Sequence, residues 1–142
     1  MPKRSKKKSL HILVTGGAGF IGSHLVERLL AEGHTVYAID DFSTGRLENI
    51  TGVLKHPRFS LATESVLHRD SMKKLIKKSD VIFHLAASVG VKYVIENPLR
   101  AMEINIKGTE MVLELANQLG NKLVILASTS EVYGKNDSVP LK

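Results

Sequence analysis

The 142-residue sequence contains no cysteine. That absence excludes a disulfide framework, a thiolate metal site and a cysteine nucleophile, and it fits a reducing cytoplasm. The sequence also lacks any apolar run of the roughly 18 to 20 residues that a membrane span requires. Its apolar positions come in short bursts between polar turns, the pattern of a soluble domain. No apolar stretch ending in a small-residue cleavage site follows the N-terminal charges, so they do not read as a secretory signal. No repeat of solenoid length recurs, and no low-complexity segment lies beyond the N-terminus.

Aromatic residues are scarce where charge is densest. Lys and Arg number 20 against 14 Asp and Glu, but Lys3, Arg4, Lys6, Lys7 and Lys8 supply five of those cations and the remainder nearly balances the acids. Strand-binding surfaces interleave basic and aromatic groups. This tail has no aromatic, so residues 1–9 read as a solvated, disordered extension, and nucleic acid is not expected as a partner. The body, 10–142, has the length and apolar content for one domain with a two-sided core.

Leu10 to Thr15 is a short β-branched run that stops at glycines, as a buried central strand does. Phe20 to Glu32 carries Ile21, Leu25 and Leu29 on one helical stripe, with Gly33 placed for a left-handed C-terminal cap. Thr35 to Ile39 reads as a second strand ending at Asp40 and Asp41, and Phe59 to Ala62 as a weaker third. Between them, residues 42–57 hold at most a short helix. Arg69 to Lys78 follows as a helix with Met72, Leu75 and Ile76 inward, then Val81 to Leu85 as a fourth strand. Leu99 to Leu119 is the longest helical pattern, with Ala101, Ile104, Gly108, Val112 and Leu115 near one face, and Lys122 to Ala127 is the fifth strand. Strands alternating with helices predict an α/β fold, a doubly wound Rossmann sheet of parallel strands in the order 3-2-1-4-5.

Between the first strand and first helix lies TGGAGFIG (15–22), which satisfies G-x-G-x-x-G from Gly17 and G-x-x-G-x-x-G from Gly16. Such glycines make a tight turn, let backbone N–H groups approach a pyrophosphate and let the helix sit against the sheet. The strand-turn-helix context makes Gly16, Gly19, Phe20, Ile21 and Gly22 candidates for a dinucleotide diphosphate at the helix N-terminus. Asp40 ends the second strand where a carboxylate can accept from adenosine ribose hydroxyls, and its charge would repel a 2′-phosphate. NAD is therefore favoured over NADP. Two readings stay open: Asp40 or Asp41 as a simple turn cap, and Arg46 as a phosphate acceptor.

At the carboxyl edge of the sheet, where ligands bind in this architecture, His84-Leu85-Ala86-Ala87 offers small side chains beside a cofactor. His84 itself reads as a satisfied core histidine, without a second ligand at metal-binding spacing, and no metal is expected. The fifth strand ends in STSEVYG (128–134), whose hydroxyl and carboxyl groups at that edge are catalytic candidates.

With those residues in hand, the chain resembles the extended short-chain dehydrogenase/reductase family, in particular its NAD-dependent nucleotide-sugar epimerases, decarboxylases and dehydratases. The resemblance runs from Leu10 to the last residue and rests on TGGAGFIG, AIDDFSTG (38–45), HLAA (84–87), NIKGT (105–109) and STSEVYG in family order. It implies that Asp40 holds the adenosine ribose, that Ser65 and Val66 flank the adenine, and that Leu85, Ala86, Ala87 and Ser128 line the cofactor. Ser65 departs from the aspartate of many relatives. Asn105 matches the asparagine that fixes the active-site backbone, and Thr129 the residue that hydrogen-bonds the sugar C4 hydroxyl. Ser130 and Glu131 resemble the loop of UDP-glucuronate decarboxylases, whereas Gly90-Val91-Lys92-Tyr93 resembles uronate 4-epimerases. Both point to a UDP-sugar that passes through a transient 4-keto form, in a cytoplasmic and homodimeric parent enzyme. The alternative is a non-catalytic NAD(P)-binding module with a basic tail.

The resemblance also implies a tyrosine base in Tyr-x-x-x-Lys. Here the residues four positions after Tyr37, Tyr93 and Tyr133 are Asp41, Asn97 and Asp137, so the motif is missing. In relatives it falls beyond the position of Lys142. The 142 residues are thus expected to be the cofactor half alone, lacking the later strands and the substrate domain, with weak or no NAD binding and no sugar turnover.

Overall fold

The computed structural model describes residues 8–135 and Pro140, with the side chains of Val91 and Glu131 outside the described set. The basic tail up to residue 7 lies outside it. Ser9, placed in that tail by the sequence, donates from its hydroxyl to the Gly33 carbonyl at 2.9 Å.

Five strands, β1 (His11–Thr15), β2 (Thr35–Ile39), β3 (Phe59–Ala62), β4 (Val81–His84) and β5 (Leu123–Leu126), form one parallel sheet. Their order is β3-β2-β1-β4-β5, as expected. The chain steps outward from β1 to β3 and then crosses back to β4. Right-handed connections therefore place α1 (Phe20–Ala31) on one face and α2 (Arg69–Lys78) on the other. The reversal opens a crevice at the carboxyl ends of β1 and β4.

Period-2 alternation divides the strand side chains between two cores. Ile12, Val14, Val36 and Ala38 pack with Val26, Leu29 and Leu30 of α1 and with Ile50 and Val53 of the β2–β3 connection. Leu13, Ile39 and Ile82 pack with Met72 and Ile76 of α2 and with Ile104, Val112 and Leu115. Because both faces are covered, Ile12 to Thr15 are all buried, which is why this strand reads as a continuous apolar run rather than an alternating one. At the end of α1 the amides of Gly33 and His34 bond to the carbonyls of Leu30 and Leu29 at 3.0 and 3.1 Å, the paired closure of a Schellman cap.

The pattern read as one helix from Leu99 to Leu119 is divided. After α3 (Val91–Glu96), a helix that the sequence pattern did not mark, come α4 (Pro98–Met102), a π-helical turn (Glu103–Lys107) and α5 (Gly108–Gln118). Pro98 opens α4 at a first-turn position, where its missing N–H costs nothing. The inward residues Ala101, Ile104, Gly108, Val112 and Leu115 are all buried, so the apolar stripe continues across the π turn. The Asn105 carbonyl in that turn accepts from the Thr109 hydroxyl at 2.7 Å.

Candidate active-site cleft

The glycine turn is built by contacts that exclude side chains. Gly16 has φ +69, and a β-carbon there would sit 2.9 Å from the Ala86 amide nitrogen. A β-carbon on Gly22 would overlap the Gly16 carbonyl oxygen. The turn is thereby pressed onto the end of β4, and α1 starts directly above it. Gly19 is the α1 N-cap with extended backbone and no side-chain cap. The N–H groups of the first helical turn, from Phe20 to Gly22, have no intrahelical acceptor. They give the cleft a positive pole suited to a diphosphate. Phe20 and Ile21 flank it with exposed apolar side chains, 77% and 68% accessible.

Asp40 is buried at the end of β2. Its Oδ2 accepts from the Ala18 amide at 2.8 Å and its Oδ1 from the Phe42 amide at 2.9 Å. The carboxylate thus ties the glycine turn to the β2 exit, and each oxygen keeps a second lone pair. The turn-cap reading of Asp40 and the ribose reading are therefore compatible. Asp41 makes the simpler cap, accepting from Ser43 N at 3.0 Å. Arg46 is exposed, with its backbone N–H on the Ala18 carbonyl at 3.1 Å.

The glycine turn, the start of α1, Asp40 and Asp41 line one cleft of about 1080 Å³, and Arg46 lies outside its lining; the volume is slightly above the roughly 300–1,000 Å³ of ordinary small-molecule sites. Gly16, Gly19, Phe20, Ile21, Gly22 and Asp40 form one end, and Ser65, Val66, Leu85, Ala86, Ala87 and Ser128 continue the wall. All twelve positions assigned to a cofactor by sequence therefore share a single cavity. Ser65 accepts the Leu67 N–H on its Oγ at 3.3 Å, which leaves the hydroxyl hydrogen available to the cleft. Thr129 lines the far end beyond β5. Ser130 starts a 3₁₀ turn, Ser130–Tyr133, and is exposed outside the lining. Glu131 lies in that turn, and the placement of its side chain falls outside the described residues.

His84 is 2% exposed at the end of β4, and burial pushes its pKa below the ordinary value. Its Nδ1 stands 2.8 Å from the Thr15 hydroxyl and its Nε2 3.2 Å from the Thr109 hydroxyl. The reading of a satisfied histidine is correct, and its partners were not foreseen. Asn105 Oδ1 accepts from Ser88 N at 2.7 Å and its Nδ2 donates to Ser88 O at 3.2 Å. Thr15, Ser88 and Thr109 went unmarked because lone hydroxyls carry no spacing signal. The only available hints were their positions at the edges of the TGGAGFIG, HLAA and NIKGT motifs. Among the described residues no group of three or more His, Asp or Glu could hold a metal ion, and no helix is long and apolar enough to cross a membrane.

Known proteins resemble this chain in sequence and in fold. A UDP-N-acetyl-alpha-D-glucosaminuronate decarboxylase of Bacillus cytotoxicus is 46% identical over 126 residues, 87% of this chain and 37% of the relative. The UDP-N-acetylglucosamine 4-epimerase of Methanobrevibacter ruminantium, solved with UDP-N-acetylmuramic acid, superposes with TM-score 0.86 at 36% identity, over 95% of this chain and 43% of that one. A UDP-glucose 4-epimerase of Stenotrophomonas maltophila, solved with NAD and formylated UDP-arabinopyranose, gives TM-score 0.80 at 29% identity over 92% and 40%. The chain spans less than half the length of each of these relatives. The resemblance drawn from the motifs holds along nearly the whole chain: residues 13–142 match the GDP-mannose 4,6 dehydratase family profile, and the chain belongs to that family.

Proposed function

We propose that this chain is the NAD-binding part of a UDP-sugar epimerase, decarboxylase or dehydratase that works through a transient 4-keto sugar. The observation that carries the reading is the single cleft, in which the glycine turn, the open α1 N-terminus and Asp40 lie at one end and Ser128 and Thr129 at the other. The shape fits the group, because glycines at 16 and 22 let the turn close on its own backbone and on the end of β4 without side chains, which leaves the first-turn N–H groups of α1 at the cleft as donors to a diphosphate.

The α1 first-turn amides would hold the diphosphate, and Asp40 would accept from the ribose hydroxyls with its free lone pairs. Val66 and Ser65 would bound the adenine, and Leu85 to Ala87 would keep water from the nicotinamide end. When bound, the dinucleotide supplies a hydride acceptor. Thr129 would hydrogen-bond a sugar hydroxyl there, with Ser130 and Glu131 following in the same loop. Relatives of both the decarboxylase and epimerase kinds support the sugar class, and the absence of cysteine supports a cytoplasmic setting. The parent is read as a homodimer.

Calorimetric titration of NAD and NADP into the chain tests this, with Asp40→Ala as control and circular dichroism to verify its fold. Because the glycine turn, the α1 N-terminus and Asp40 all line this cleft, the chain should bind NAD weakly but measurably, at least about tenfold more tightly than NADP, a difference of about 1.4 kcal/mol, and Asp40→Ala should lose that preference. Equal affinity for the two dinucleotides, or full NAD binding by a folded Asp40→Ala, would overturn it.

A further inference from the structure

The hydrogens around His84 can be assigned from the donors and acceptors present. The Thr15 hydroxyl oxygen accepts from the amides of Leu85 and Ala86, both at 3.1 Å, the Leu85 N–H being shared with the Thr15 carbonyl at 3.3 Å. A hydroxyl has two lone pairs and one hydrogen, so with both pairs engaged its hydrogen goes to the remaining neighbour, His84 Nδ1, at 2.8 Å. Nδ1 is therefore the acceptor, and the ring hydrogen is on Nε2. The other side gives the same answer independently. Thr109 donates its only hydroxyl hydrogen to the Asn105 carbonyl at 2.7 Å, so its oxygen can only accept from His84 Nε2 at 3.2 Å.

The result is a one-way chain of donors across the floor of the cleft, from Thr15 through His84 and Thr109 to the Asn105 carbonyl. Its two ends meet the same segment. Thr15 holds the amides of Leu85 and Ala86, and the Asn105 side chain holds both the N–H and the C=O of Ser88. Residues 85–88 line the cleft along their length and lie against the glycine turn at Ala86.

We propose that His84, as the neutral Nε2–H tautomer, is a positioning residue that joins Thr15 to the π turn of Asn105, so that the 85–88 wall is set from both ends as one unit. The histidine touches neither cofactor nor sugar in this role. It acts through Thr15 and Thr109, and a core histidine that merely fills space would not need a fixed tautomer. The consequence for dinucleotide binding rests on the function proposed above; the tautomer and the coupling do not.

The test uses the chain with ¹⁵N-labelled histidine, Thr109→Val to remove the Nε2 acceptor without changing shape, and Thr109→Ser to restore it. Nitrogen chemical shifts should report the Nε2–H tautomer for His84. Thr109→Val should move the amide resonances of Leu85, Ala86 and Ser88, on the far side of the ring, and weaken NAD binding by about tenfold, whereas Thr109→Ser should stay within about threefold of the original. An Nδ1–H tautomer, or Leu85 and Ala86 resonances unmoved by Thr109→Val, would overturn the inference. So would unchanged NAD affinity in Thr109→Val. Absence of NAD binding by the unmodified chain would instead count against the proposed function, with the tautomer and amide shifts still deciding the role of His84.

Discussion

Burial holds the folded pKa of His84 below its ordinary 6.5, and this single residue gives the protein a pH signature. As pH falls below 6.5, the unfolded chain takes up a proton at His84 while the folded chain resists it. The unfolded state then binds more protons, so stability rises with pH in that interval. The contribution is complete above 6.5 and is lost as pH falls toward the lowered folded value. Urea midpoints of the chain and of His84→Gln, compared from about pH 7.5 to about pH 5.5, should show a steeper loss for the unmodified chain. Parallel pH dependences would remove His84 as the cause. The window is separable from that of Glu103 and Glu114, whose pKa values are lowered below the ordinary 4.5 by hydrogen bonds to Lys107 and Arg69. Phe42 is a second residue whose setting is local. It has φ 57, uncommon for an aromatic residue, and its amide is held by the Asp40 carboxylate.

Among the elements, α2 separates buried from exposed positions most cleanly. Met72 and Ile76 have no exposed surface and pack against the β1 and β4 side chains Leu13 and Ile82, whereas Lys73 and Lys74 are exposed. Truncating a fully buried methionine removes its burial and leaves a cavity. Met72→Ala should therefore cost about 2–5 kcal/mol, and Lys73→Ala should stay within about 0.5 kcal/mol, both read from urea denaturation. Similar losses for the two would mean that α2 is not packed as described. The bonds from Arg69 to both Glu114 carboxylate oxygens, at 2.9 and 2.8 Å, join α2 to α5 on the surface. Solvent screening leaves such a pair little net weight.

The same helix explains how far the sequence could be read. Met72, Leu75 and Ile76 repeat at helical spacing, and the expected bounds of α2 equal the observed ones. The short apolar runs likewise located every strand to within a residue at either end, and they did so for β5 even though three of its four side chains are exposed. The interruption at Asn105 could not be read that way. The π turn keeps Ile104 and Gly108 inward and is stabilised by the Thr109 hydroxyl and the Ser88 backbone, partners distant in sequence or silent in periodicity. In the cleft, the cofactor positions were legible because glycine and aspartate carry specific geometric demands. The Thr15–His84–Thr109 chain was not, since it depends on which hydroxyls the topology brings to one histidine.

At the scale of the whole molecule, protection is uneven across the sheet. The β1, β2 and β4 strands lie between covered faces, whereas β5 forms the edge beside β4. Leu123 and Leu126 are 59% and 51% exposed, and the register pairs Leu123 with Val81 and Ile125 with Phe83. Phe83 packs into the α1-side core, so Leu123 and Ile125 extend that apolar face past the last element covering it. An exposed apolar edge strand offers both hydrogen-bonding groups and a sticky face to a second chain. The 142-residue chain should therefore associate as its concentration rises. Leu123→Lys places a charge on the exposed position and should shift the population toward monomer in light scattering, with its urea midpoint confirming an intact fold. A clean monomer for the unmodified chain at high concentration, or association unaffected by the lysine, would show that β5 is not the sticking surface.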